Sequence, residues 1–324
     1  MLRVGLSTLR PVAARTAAAQ LGARNLSSSS FRPNTILQTL QKQRKQFGSA
    51  FKYNTDSVIQ PAKLSWRRVA LIAGGVAGTV IVMDSALNRE TRASLSQAER
   101  SLLNSTFAYT GAGLTVTAAI ARMMYRSGFV FRIMAANPWV VVGASLVGGI
   151  GSIIGVQNTA PENTLLKHLF FLGFNTFQAA TLAPLPLLFP ATIMFRAGLY
   201  TLGVVGSLSY VGATAANDKY LMLGGPLLAG VTVVALSTLA PLVLPVTAVR
   251  ALAITEGIYL YGGLAVFGGF VLYDTQKILM HARMAEAGMM KNDPMRESIG
   301  LQLDIINIFI RLVQILAMNN NKRK

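Results

Sequence analysis

Phe270-Val271-Leu272-Tyr273-Asp274-Thr275-Gln276 closes one apolar run near the C-terminus, and Leu301-Gln302-Leu303-Asp304-Ile305-Ile306-Asn307 lies in the next. Each stretch carries one carboxylate in an apolar setting. Placing a charge in hydrocarbon is expensive, so an ionisable residue inside a membrane segment is by default a functional candidate. Two plainer readings stand beside this one: Asp274 as a solvated helix end, and the last segment as an amphipathic helix lying on the membrane surface. What decides between them is whether Asp274 and Asp304 meet.

Composition sets the frame. Of 324 residues, 52% are apolar and 13% charged, with a mean hydropathy of +0.47, which reads as an all-α polytopic membrane protein embedded in a lipid bilayer. Lys and Arg exceed Asp and Glu by 30 to 12. That excess lies in the N-terminal arm and between apolar runs, which favours membrane topology over a nucleic-acid partner. There is no cysteine, so disulfides, thiolate metal sites and cysteine catalysis are excluded. His168 and His281 are the only histidines, which argues against an imidazole metal centre. With no serine beside a plausible base either, the chain is not expected to be an enzyme, and no cofactor is expected.

The arm before Asp56 contains Arg3, Arg10, Arg15, Arg24, Arg32, Lys42, Arg44, Lys45 and Lys52, many Ala and Ser, and no acid. That is the composition of a mitochondrial transit peptide. Residues 1–34 are assigned to it, with processing near Arg24-Asn25-Leu26, ahead of Ser27 to Ser30. Residues 35–68 are a polar segment, 69–87 a short glycine-rich transmembrane helix, 101–318 the main membrane domain and 319–324 a basic tail.

Eight apolar runs qualify as spans: Val69 to Met83, Leu102 to Ala121, Trp139 to Val156, Leu165 to Phe189, Ala191 to Ala213, Tyr220 to Leu244, Ala251 to Tyr273 and Leu301 to Met318. Thr275 to Gly300 reads as a polar linker, and Pro190 as a tight hairpin or a break between two runs. An even number of crossings puts Asn34 to Arg68, Arg122 to Arg132, Arg250 and the basic tail on one side, where positive charge accumulates. For an inner-membrane protein of mitochondria that side is the matrix, and both termini face it.

Closely spaced glycines, Gly74 with Gly78, Gly151 with Gly155 and Gly262 with Gly263, would let helices approach closely. Prolines 184, 186, 190, 226, 241 and 245 each remove a backbone donor, which predicts kinked or interrupted helices. On the last segment Asp304, Asn307, Arg311 and Gln314 fall within a sector of roughly 80°, one polar stripe that must face protein or water. Glu256 shares a face with Asp274 but lies about 27 Å away along the axis, which fits an interfacial residue better than a site residue.

If the two aspartates meet, chemistry follows. Two carboxylates in contact do not both ionise cheaply, so the pair tends to hold a shared proton. A hard divalent cation such as calcium would displace it, and backbone carbonyls or water would have to complete the six to eight oxygens that calcium prefers. The result is a weak, proton-coupled cation site, which suits a conductor or exchanger better than a storage site.

Tyr261-Gly262-Gly263, the run Leu272 to Lys277 and the run Leu303 to Arg311 together resemble the transmembrane Bax inhibitor motif family, over roughly Ser101 to the end. The transit-like arm, the additional span and the basic tail resemble its mitochondrial branch. The resemblance implies a seven-helix bundle plus one additional N-terminal transmembrane helix, with Asp274 and Asp304 as a pH-sensitive pair at the pore. It further implies calcium/proton exchange across the inner mitochondrial membrane, with roles in cristae organisation and apoptosis control and inner-membrane protein partners. The wider family latches the pair with an arginine in the second of the seven spans, whereas Trp139 to Val156 contains none. Arg311 or Arg132 could take its place, with Asn307 and Gln276 as supporting polar groups, or the latch is absent. A second function class is a structural or regulatory membrane protein that maintains cristae and binds quality-control partners without transport.

Overall fold

The structure, a computed structural model, describes residues 94–321 apart from Asn137 and Val246. The transit segment, the polar segment, the additional N-terminal span with Gly74 and Gly78, and the last three residues of the tail lie outside the described residues. Every regular element among the described residues is a helix: α1 (Gln97–Arg126), α2 (Phe129–Ala135), α3 (Pro138–Asn158), α4 (Thr164–Leu182), α5 (Leu185–Leu188), α6 (Ala191–Thr214), α7 (Gly224–Val243), α8 (Val249–Gly257), α9 (Gly263–Glu286) and α10 (Pro294–Asn321). Four helical segments are long and apolar enough to cross a membrane by length and composition: Ala191–Thr214, Leu221–Pro241, Val249–Glu286 and Pro294–Asn320.

The chain starts its described part with a capping box. Ser96 Oγ accepts from the Glu99 backbone and Glu99 Oε2 accepts from the Ser96 backbone, which satisfies two of the backbone donors that a helix start leaves open. Leu102, Leu103, Thr106, Thr110, Gly113 and Thr117 are then buried at three- and four-residue intervals. This is one face of α1, and it packs on α4, α9 and α10.

Proline breaks the path where the sequence suggests. After α4 ends, Pro184 precedes the single turn α5, and Pro190 in extended conformation opens α6. The join is therefore an interruption, not one continuous helix, because a proline ring lacks the donor that the preceding turn needs. Pro241 sits within the last turn of α7, which ends two residues later.

Two expectations are corrected at the end of the chain. The stretch from Thr275 to Gly300 is not a linker: helix α9 continues to Glu286, and α10 begins at Pro294. Only residues 287–293 connect them. The stop is a Schellman turn, with Gly288 at φ 74° and the amides of Gly288 and Met289 bonded to the carbonyls of Ala285 and Met284. The restart is an Asp-Pro cap, where Asp293 Oδ1 accepts from the Arg296 backbone at 3.1 Å and Pro294 occupies the first helical position. The second correction concerns the run from Ala251 to Tyr273. It belongs to a longer helical path in which α8 and α9 are joined by a π-turn at Ile258–Gly262.

Helix α9 is enclosed on nearly every side. Successive helical residues point about 100° apart, so four in a row sweep most of the circumference. Tyr273 packs against Gly224, Asp274 against Gly300 and Thr275 against Gly212. Gln276 ties down the loop between α6 and α7: its Oε1 accepts from the Tyr220 amide at 2.7 Å and its Nε2 donates to the Ala216 carbonyl at 2.8 Å. Ile278, Leu279 and Ala282 complete the packing against Leu102, Leu103 and Leu301.

Charged groups gather at one end of the bundle. Arg283 donates to Glu99 Oε1 at 3.1 Å and to Asp218 Oδ1 at 2.6 Å, joining α1, the α6–α7 loop and α9. Asp218 holds φ at 63° in that loop, a left-handed conformation that aspartate tolerates better than most residues. Lys167 of α4 forms a buried ion pair with Asp293 at the start of α10 and also donates to the Thr159 carbonyl. His281 Nδ1 lies 2.9 Å from Glu297 Oε1 across the α9–α10 hairpin.

The glycine contacts are more selective than their spacing suggests. Phe170 lies over Gly155 and Phe177 over Gly148, so the α3–α4 seam uses a seven-residue interval, with Ser152 buried between. Gly151 is exposed and nothing approaches within 4 Å of where its Cβ would be. It is not a packing glycine, because its position in the helix turns it away from α4. Gly148→Leu should therefore lower stability in detergent by about 1–3 kcal/mol, the usual cost of overpacking. Gly151→Leu should change it by under about 0.5 kcal/mol, and thermal unfolding of both variants checks the contrast. Gln276→Ala should cost about 1–3 kcal/mol in the same assay, because it removes the partner of one buried donor and one half-buried acceptor of the α6–α7 loop.

Candidate cation site

The site is built where α9 crosses α10. Gly300 and Asp304 are four residues apart on α10 and so share a face. The Asp274 carboxyl from α9 is lodged against Gly300, where any side chain on that residue would overlap Oδ2. Asp304 stands one turn further along, 5% exposed, within electrostatic reach of Asp274. The structure thus brings the two aspartates together, one from each leg of the hairpin. Asp274 is a mid-helix residue in a packed seam and not a solvated helix end.

Asp304 Oδ2 is buried with no hydrogen-bond partner among the described residues. A buried carboxylate oxygen left unpaired is costly, which makes this the natural place for a proton or a cation to reside. The charged groups around the pair are arranged on the same seam: Lys277 and His281 one and two turns along α9, and Glu297 from α10, all within electrostatic reach of Asp274. Two carboxylates, a lysine and a histidine–glutamate pair therefore form a polar file leading from the mixed-charge end of the bundle to Asp304.

The other residues singled out in the sequence have different positions. Gln276 points away from the pair and holds the α6–α7 loop. Asn307 donates from Nδ2 to the Leu303 carbonyl and accepts from Arg311 at Oδ1, 2.9 Å away. Arg311 is 4% exposed, but its remaining bonds go to the Asn307 and Tyr259 carbonyls. Arg132 is exposed on α2, which packs chiefly on α1. Neither arginine latches the aspartates in this structure. Glu256 is exposed. Gly262 meets only Ile258 of its own turn, and the space beside Gly263 is filled by the Arg311 side chain of α10.

Sequence reasoning missed Gly300, Lys277, His281 and Glu297 as neighbours of the pair, because it took their stretch for a linker. The signal was present in Gly288 followed by Asp293-Pro294, a helix stop and a helix start only a few residues apart. The polar stripe from Asp304 to Gln314 faces protein, since Asp304 and Arg311 are buried and Asn307 and Gln314 half-buried. That removes the reading of α10 as a helix lying on the membrane surface.

Comparison with known proteins identifies the family of the chain. The family described as "Inhibitor of apoptosis-promoting Bax1" matches residues 99–321. The growth hormone-inducible transmembrane protein of Rattus norvegicus is 34% identical over 224 residues, 68% of this chain and 64% of that protein. The chain thus spans just under two thirds of that relative's length. Human Bax inhibitor 1 is 32% identical over 196 residues, covering 56% of this chain and 76% of the relative. Bax inhibitor 1 of Schizosaccharomyces pombe is 30% identical over 223 residues, covering 68% and 77% respectively. The match takes in α1 through α10 and both aspartates, and the chain belongs to the Bax inhibitor family of multi-pass helical membrane proteins.

Proposed function

We propose that the chain is a cation transporter of the inner mitochondrial membrane that exchanges calcium for protons through Asp274 and Asp304. The observation that carries this reading is the seating of the Asp274 carboxyl against Gly300, one turn from Asp304 on α10, with one oxygen of Asp304 buried and without a hydrogen-bond partner among the described residues. Two carboxylates within electrostatic reach of each other in a low-dielectric seam favour sharing a proton. A calcium ion that displaces the proton exchanges one species for the other at a single place. Two aspartates supply few of the oxygens calcium prefers, so binding is weak and release is easy, as turnover requires.

Location rests on the basic, acid-free arm and on the charge distribution. Among the described residues, Arg122, Arg126, Arg132 and Arg250 lie in the segments assigned to the inner side, while Glu162, Asp218, Asp293 and Glu297 balance the cations of the other end. This asymmetry supports the matrix as the inner side. A second reading is a regulatory or structural role in apoptosis control and cristae maintenance without transport, favoured by relatives named Bax inhibitor 1 and Golgi anti-apoptotic protein.

Reconstitution in liposomes with a pH gradient separates the two. Asp274→Asn and Asp304→Asn should each reduce pH-dependent calcium flux by about tenfold or more, the loss expected when roughly 1.4 kcal/mol or more of ion binding is removed. Full flux in both variants would sink the transport reading, and rescue of cristae shape by the double variant in cells lacking the protein would favour the second. Gly300→Ala should mimic Asp274→Asn by evicting that carboxyl from its seat. Gly225→Ala, where nothing lies within 4 Å of the added carbon, should leave flux unchanged.

A further inference from the structure

Arg311 is a guanidinium buried among apolar helices with no carboxylate in salt-bridge contact among the described residues. A charge in that setting is costly to keep, and the fold keeps it with an unusual set of partners. Nε donates to the Tyr259 carbonyl at 3.1 Å, inside the π-turn. Nη1 donates to the Asn307 carbonyl at 3.0 Å and to Asn307 Oδ1 at 2.9 Å. The guanidinium carbon lies 4.8 Å from the Tyr259 ring centroid and 4.6 Å from that of Phe267, distances at which an aromatic face attracts a cation. Gly263 completes the seat, since a Cβ there would overlap Nε.

Every one of these contacts preserves the positive charge and none neutralises it. A structural arginine in this position would be expected to pair with a carboxylate, and an apolar residue would fill the space at less cost. The charge itself is therefore what the seat maintains. Its place on the stripe sets where that charge stands. Arg311 stands seven residues beyond Asp304 on the polar stripe of α10, about 10 Å along the axis. It lies on the side away from Lys277, His281 and Glu297, toward the end that carries Arg122, Arg126, Arg132 and Arg250. A cation leaving the aspartate pair in that direction approaches a fixed positive charge in a low-dielectric interior, where repulsion is weakly screened.

We infer that Arg311, seated on the π-turn by Tyr259, Phe267 and Gly263, is the electrostatic barrier that closes the cation route on the basic side of the aspartate pair. This rests on the transport reading above and specifies how the site avoids being an open leak. It also gives the π-turn a purpose. A π-turn carries one extra residue relative to an α-helix and commonly marks a functional position. Straightening it shifts the Tyr259 carbonyl and both flanking rings relative to Arg311, which unseats the barrier.

The test is calcium flux into liposomes holding the full chain, measured without an opposing proton gradient. Arg311→Gln removes the charge, Gly263→Ala displaces it, and Arg311→Lys keeps it. The first two should raise uncoupled flux by about tenfold or more, the third should leave it near wild type, and the added Asp304→Asn should abolish the gain. Unchanged flux in Arg311→Gln beside a wild type that exchanges calcium for protons overturns the barrier and leaves the transport reading standing. A wild type without flux, beside an Asp304-dependent flux in Arg311→Gln, supports the barrier and overturns exchange. A gain that survives Asp304→Asn, or equal loss of thermal stability and flux in all three variants, marks a damaged bundle and overturns the barrier.

Discussion

The structure depends on one helix that must satisfy neighbours in every direction. Helix α9 passes between α1, α6, α7 and α10, and four consecutive residues, Tyr273 to Gln276, each meet a different one of them or a loop between them. Three of those contacts are against glycine, at positions 224, 300 and 212. Small residues on the partner helices are what let a central helix carry a phenol, a carboxyl and a hydroxyl around its girth without voids or overlap. The carboxyl is the costly member, and the fold places it against Gly300 of α10, one turn from the second carboxyl, Asp304.

Much of this was legible from residue types alone. Asp274 and Asp304 stand out because apolar runs rarely tolerate acids, and the three- and four-residue spacing of Asp304, Asn307, Arg311 and Gln314 shows a stripe facing protein. What pattern reading obscured was helix length. Thr275 to Gly300 is rich in polar residues, and by polarity alone it reads as a linker. Those polar groups are instead paired across helices, Arg283 with Glu99 and Asp218, and His281 with Glu297, and paired charges are compatible with burial. The local caps at Gly288 and Asp293-Pro294 carry the correct boundary.

Other features were not available from one chain read in isolation. The choice between Gly148 and Gly151 depends on the rotation of α3 against α4, which is set by where Phe170 and Phe177 project. The π-turn leaves no compositional trace, since Ile258 to Gly262 would read equally well as α-helix. From sequence, Arg311 and Arg132 are alternative latches for the pair, and absence of a latch is a third possibility. The actual seat of Arg311 depends on Gly263 and on a shifted carbonyl. The same arginine thus changes from a counterion of the site to a charge held at a distance from it.

The central claim is that Asp274 and Asp304 hold a proton between them that a calcium ion displaces. Infrared difference spectroscopy of the protein in liposomes, recorded with and without calcium, reports on that proton directly. The account predicts that the carbonyl stretch of a protonated carboxylic acid disappears when calcium binds, and that this change is missing in Asp304→Asn. A spectrum in which calcium leaves protonated carboxyls untouched, or alters them equally in Asp304→Asn, would contradict it.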